Sequence, residues 1–135
     1  MIVLVDTSVW VEYFQKKPLI DPAHVDLLIE ERRVATCLPI KAEILSGEMS
    51  AQAKSVVLAA FDAMTFIDSD WDSHETWEEI TDLATETRRK KRGVPGMIDR
   101  MILLAAKRSA AQLWTLDKKL QKLADLSGVN LFSLG

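Results

Sequence analysis

The sequence predicts an α/β fold, with three α/β/α layers around a mostly parallel central sheet of four to five strands. Two observations carry that prediction. Ile2, Val3, Leu4 and Val5 form an unbroken aliphatic run with no polar alternation, as in a strand buried on both faces. Strand-like runs then alternate with helical patterns along the chain, the order that builds a parallel sheet covered on both sides. The 135 residues hold no internal repeat, low-complexity tract or linker, so they suit one domain, 1–135, with a single core.

Strand-like runs lie at 2–5, 34–37, 65–67, 113–116 and 130–134. Asp21 and Pro22 supply an N-cap and a first-turn proline for a helix to about Arg32. Pro39 opens a shorter helix that carries Ile40, Glu43, Ile44 and Leu45, and Ser50 caps a third that runs to about Met64. Asp72, with Glu75 three residues on, resembles a capping box for a long helix to about Arg92. Its apolar stripe is Trp77, Ile80, Leu83, Ala84 and Thr87. Gly93, Pro95 and Gly96 break the chain, and a helix restarts near Ile98. Ile98, Met101, Ile102, Ala105 and Ser109 are expected to face the core, and Arg100, Lys107 and Arg108 to face water.

A hydrophobic content of 48% and a charged content of 27% fit a soluble globular protein. No apolar stretch approaches the roughly 18 residues of a membrane span, and no basic region precedes the first apolar run as in a signal peptide. A cytoplasmic location is therefore expected. Cys37 is the single cysteine, which excludes an internal disulfide and a cysteine-based zinc site. The net charge of −3 hides an asymmetry. Residues 1–86 carry 6 Lys/Arg against 17 Asp/Glu, a balance of −11, whereas residues 87–135 carry 11 against 3, a balance of +8. Such a split hints at a polyanionic partner, and mutual neutralisation within the fold is the plainer alternative.

Asp6 closes the first apolar run, and Asp117 closes a second at Gln112-Leu-Trp-Thr-Leu. Either could be a simple helix N-cap, worth about 1 kcal/mol. If both strands are parallel, however, both carboxylates emerge at the sheet edge where open α/β folds place their ligands. There they repel unless a cation neutralises them. Asp99 opens a helix just after Gly-Val-Pro-Gly, a position the helix dipole favours and one that can meet the same rim. Glu43 lies one turn into its helix among Ala42, Ile44 and Leu45.

Asp6-Thr-Ser-Val-Trp, Glu43-Ile-Leu, Asp99 after Pro-Gly, and Thr115-Leu-Asp117 resemble the four acidic stations of PIN-domain ribonucleases. Their order and spacing are most similar to VapC-like toxins of toxin–antitoxin pairs, and the resemblance covers essentially the whole chain. It implies an Mg²⁺- or Mn²⁺-dependent endoribonuclease that hydrolyses RNA phosphodiester bonds. It also implies a cognate antitoxin that neutralises the enzyme, and a homodimer. By the same resemblance Asp6 and Asp99 would be direct metal ligands, and Glu43 and Asp117 would complete the catalytic set. Ser8 and Thr115 would orient carboxylates or water. Where the family often has Ile-Ala-Ala beginning three residues after the third acid, this chain has Ile102-Leu103-Leu104, with Ala105 and Ala106 following.

The donor chemistry agrees with that implication. Four carboxylates without histidine or thiolate favour a hard, octahedral cation over zinc. Arg88, Arg89, Lys90, Lys91 and Arg92 are either a solvated cationic helix end or a patch that tracks RNA phosphates. Lys118, Lys119 and Lys122 read as a solvated helix face, and His24 and His74 as surface or capping residues. Trp10, Val11, Phe14, Trp71 and Trp77 read as core or dimer surface. Two other readings are open. One is a receiver-like phospho-aspartate module using Asp68, although the acidic pair expected around Asp6 is missing. The other is a catalytically silent domain that binds RNA or protein.

Overall fold

Val3, Leu4 and Val5 are fully buried because the strand they form lies inside the sheet, with a strand on each side and helices over both faces. The computed structural model describes residues 1–15, 18–90 and 93–134. In chain order these form β1 (Val3–Val5), α1 (Thr7–Tyr13), α2 (Pro22–Glu30), β2 (Val34–Thr36), α3 (Leu38–Leu45) and α4 (Ala51–Asp62). There follow β3 (Thr65–Phe66), α5 (His74–Arg89), α6 (Met97–Arg108), β4 (Gln112–Trp114) and α7 (Lys118–Leu126). The sheet is parallel, in the order β3-β2-β1-β4. Leu4 lies between Ala35 and Leu113, and Thr65 pairs with Ala35 on the outer side.

This order makes β1 the switch point. The chain adds β2 and β3 on one side of it, then crosses back to place β4 on the other. Such a reversal leaves a crevice at the carboxyl ends of the two diverging strands, β1 and β4. Helices of the three crossovers cover both faces, giving the three-layer arrangement that the sequence predicts. Packing contacts join α1 to α3, α5 to α6, and α3 to α6. Three helices end on a left-handed residue, Arg32, Ala110 or Gly128. The next amide then reaches back across the turn, from Arg33 to Leu28 O (2.9 Å), Ala111 to Ala106 O (3.0 Å) and Val129 to Ala124 O (2.9 Å). The first two turns deliver the chain straight into β2 and β4.

Several local expectations are corrected. Among the described residues, 130–134 contribute only a bridge between Leu131 and Leu113, not a fifth strand. Leu131 and Leu134 stay exposed, and only Phe132 packs inward, against Trp114. The N-cap of α5 is Ser73, with no side-chain cap bond, so Asp72 and Glu75 form no capping box. The Asp72 amide instead donates to Asp70 Oδ1, closing a turn one step earlier. Thr76, not Trp77, is buried on α5, where its hydroxyl accepts from Arg108, while Trp77 stays exposed. Ser109 is exposed because α6 has already ended at Arg108. Ile102, Leu103, Leu104, Ala105 and Ala106 are all buried behind Asp99, so the altered Ile-Leu-Leu order still fills the core.

Candidate active site

Asp6 follows β1 directly, and its amide donates to Trp114 O at 2.9 Å, tying the ends of β1 and β4 together. Its carboxylate is 5% exposed and makes no cap bond to α1. Instead Asp6 Oδ2 accepts from Ser8 Oγ (2.8 Å) and Thr115 Oγ1 (2.7 Å). Each hydroxyl is itself fixed by a backbone amide, Leu116 N–H on Ser8 Oγ (3.0 Å) and Asp117 N–H on Thr115 Oγ1 (3.1 Å). Each has one proton and gives it to Asp6, so the 3.2 Å approach between the two hydroxyls is a contact rather than a further bond. Among the described residues nothing donates to Asp6 Oδ1, which leaves one oxygen of a rigidly held carboxylate for a ligand.

Asp117 is the N-cap of α7. Its Oδ1 accepts from Lys119 N (2.9 Å) and Leu120 N (3.4 Å). Glu43 is exposed on α3, where Thr7 Oγ1 donates to its Oε1 at 2.7 Å. Asp99 sits in the first turn of α6, half-buried. Its carboxyl is held above the usual carboxylate range, first by burial and then by the negative charges of Asp6, Asp117 and Glu43, with Lys119 opposing. Asp6, Asp117 and Glu43 are therefore near enough for their charges to act on Asp99. The buried Cys37 thiol reports the same field. It is pushed up to about 12, mainly by burial, with Asp68, Asp6 and Glu43 adding and an Ile40 backbone hydrogen bond opposing.

The donor set fits a hard divalent cation: oxygens only, one Asp6 oxygen without a donor, and a surplus of negative charge. Among the described residues no three His, Cys, Asp or Glu side chains are gathered tightly enough to hold one ion directly. Mg²⁺ commonly takes one or two carboxylates and keeps several waters, which suits this open spacing.

Three contacts around these acids are not signalled by the sequence. Thr7 grips Glu43 across 36 positions. Asp68 Oδ1 accepts from Leu38 N and from Trp71 Nε1, each at 2.8 Å, so it caps α3 from outside that helix. This cap is needed because Cys37 occupies the N-cap position and offers no side-chain bond. Arg100, expected to face water, folds back to donate to Pro95 O (3.1 Å) and Ile80 O (3.0 Å), stapling the break before Asp99 to α5. A proline two residues before a helix with an acid in its first turn is the only hint of the last.

The flanks of the rim differ in character. Arg88, Arg89 and Lys90 are exposed at the end of α5, while Lys91 and Arg92 lie outside the described residues. Lys119 rests along Gly93, close enough that a β-carbon there would meet its Cε at 3.6 Å. On the other flank a groove of about 830 Å³ opens beside Glu43, walled by Val11, Phe14, Ile44, Met49 and Val57, with Glu48 at its edge. Trp10, stacked on Phe14, is fully buried.

A four-stranded parallel sheet with acidic residues at its switch point defines an α/β protein whose charge gathers at the edge where such folds place their ligands. The PIN domain model matches residues 3–126, and the chain belongs to the PIN-domain family. A stretch of 49 residues is 47% identical to Ribonuclease VapC11 of Mycobacterium tuberculosis and to VapC ribonuclease Mb1587 of Mycobacterium bovis. The stretch covers 35% of this chain and 37% of each relative. VapBC2 from Rickettsia felis, solved bound to a DNA fragment from its promoter, superposes with a TM-score of 0.73 at 22% identity over 98% of both chains. FitAcB from Neisseria gonorrhoeae gives 0.70 at 18% identity over 98% of this chain and 97% of its own. At these identities the likeness is one of fold.

Proposed function

We propose that this protein is a metal-dependent endoribonuclease that hydrolyses RNA phosphodiester bonds, and the toxin of a toxin–antitoxin pair. The observation that carries the reading is the buried Asp6 carboxylate at the end of β1, held through Oδ2 by Ser8 and Thr115, beside an Asp99 carboxyl raised first by burial and then by the charges of Asp6, Asp117 and Glu43. Four carboxylates at one sheet edge destabilise one another unless a cation joins them. The partial match to two VapC ribonucleases supports RNA as substrate.

In this reading Asp6 Oδ1 and Asp99 hold Mg²⁺ or Mn²⁺, with Glu43 and Asp117 acting through bound water or a second ion. The ion, when bound, lowers the pKa of its water, orients the phosphate and neutralises charge on it. Ser8 and Thr115 keep Asp6 from turning, which leaves Oδ1 for the ion. Glu43 and Asp117 would accept the proton that the attacking water sheds. Arg88, Arg89, Lys90, Lys91 and Arg92 track the RNA backbone from the α5 side, which is the use for the positive half of the chain.

The partner is a cognate antitoxin, a segment of which covers the cleft and presents Arg or Lys to the carboxylates. A solved neighbour described as a toxin–antitoxin complex supports that partner, and the groove beside Glu43 and Glu48 offers such a segment an apolar seat with acidic edges. The working form is a cytoplasmic homodimer. The test is incubation of the purified protein with structured RNA in Mg²⁺ or Mn²⁺, with and without EDTA. Cleavage that EDTA stops supports the enzyme; binding without cleavage in saturating metal identifies a silent RNA-binding domain instead.

A further inference from the structure

We propose that Thr7 is a positioning residue that sets the working orientation of Glu43, an inference that rests on the metal-dependent reading above. Glu43 is exposed on α3, and a free glutamate there would spread over many rotamers. The one hydrogen bond it makes among the described residues comes from Thr7 Oγ1, at 2.7 Å on Oε1. Thr7 is the first residue of α1 and the chain neighbour of Asp6. The hydroxyl that grips Glu43 is therefore presented by the same turn that carries the innermost carboxylate. This fixes the separation of two acids that are 37 positions apart in sequence through a single side-chain bond. The β-branched side chain restricts its own χ1, which makes it a firm anchor. Contact between α1 and α3, and the Asp68 bond on Leu38 N, hold the backbones on which both residues ride. With Oε1 occupied, Oε2 is the oxygen left for metal-bound water.

The test compares wild type with Thr7→Val, Thr7→Ala and Thr7→Ser, each also in a Glu43→Ala background. Two readouts serve: the Mn²⁺ concentration at half-maximal rise in melting temperature, and the RNA cleavage rate at saturating Mn²⁺. Loss of this exposed bond is expected to raise half-saturating Mn²⁺ about three- to ten-fold in Thr7→Val and Thr7→Ala. Thr7→Ser, which keeps the donor, stays near wild type. In the Glu43→Ala background the Thr7 substitutions have no further effect, which a merely structural role for Thr7 would not produce. Unchanged or tighter Mn²⁺ response in both hydroxyl-free variants, or an effect that persists without Glu43, overturns the inference while leaving the nuclease reading intact. A wild-type protein that neither cleaves RNA nor gains stability from Mn²⁺ overturns both.

Discussion

Replacing Thr115 with Val removes one hydroxyl and nearly no volume. Thr115 is 3% exposed, and its hydroxyl donates to Asp6 Oδ2 at 2.7 Å while accepting the Asp117 amide at 3.1 Å. A hydrogen bond to a charged group contributes about 1.5–3 kcal/mol, and an orphaned buried amide adds to the cost. Asp117 is exposed, so water can reach its amide, which points to the lower part of that range. A loss of about 2 kcal/mol in a domain of this size corresponds to a fall of roughly 6–10 °C in melting temperature. The assay is a circular-dichroism melt in EDTA. Thr115→Ser keeps the donor and loses one methyl group, so it is expected to fall by less than half as much. A Thr115→Val protein that melts within about 1 °C of wild type, or a Thr115→Ser protein that falls as far as Thr115→Val, refutes the claim that this hydroxyl anchors Asp6.

Burial and three neighbouring acids raise the Asp99 carboxyl, so its ionised form costs stability above that raised pKa, and the cost is relieved as pH falls through it. In metal-free buffer Asp99→Asn is therefore expected to melt above wild type near pH ~7 and to converge with it near pH ~4. A metal-free wild type that melts higher near neutrality contradicts this. Asp68→Ala removes the acceptor for Leu38 N and Trp71 Nε1. A loss of about 1–2 kcal/mol in a denaturant melt is expected, with a shift in tryptophan fluorescence. Changing Arg88, Arg89, Lys90, Lys91 and Arg92 to Gln is expected to flatten the salt dependence of RNA binding by about 0.7 in log–log slope for each phosphate that the run no longer neutralises. An unchanged slope removes the run from the RNA path.

The sequence exposes the sheet and its acids because both are encoded locally. An apolar strand ending in an acid marks β1 at Asp6 and β4 near Asp117, and a parallel sheet then brings those ends together. Helix N-caps at Asp21 and Ser50 are equally local and stand as the sequence predicts, and Asp117 takes the cap that the sequence held open beside its place among the acids. Asp6 itself departs from the cap pattern, because it accepts from Thr115, 109 positions away just past β4, and from Ser8 in its own turn rather than from the helix amides. Long-range contacts explain the other misses. Arg100 lies on the solvent side of a helical wheel, yet its side chain is long enough to reach Ile80 O. Thr76 is buried in place of Trp77 because Arg108 reaches it from α6. Nothing in either segment alone signals those partners. The bonds from Thr7 to Glu43 and from Leu38 to Asp68 are of the same kind, which is why the parts played by Thr7 and Asp68 became visible only in three dimensions.

Mapping of cellular RNA ends after induction tests the central claim most directly, comparing the intact protein with Asp6→Asn at equal expression. Asn keeps an oxygen to accept from Ser8 and Thr115 but removes the charge at the centre of the crevice. New ends at discrete positions are expected with the intact protein and none with Asp6→Asn. The same ends in both, or no new ends in either, would contradict a nuclease centred on Asp6.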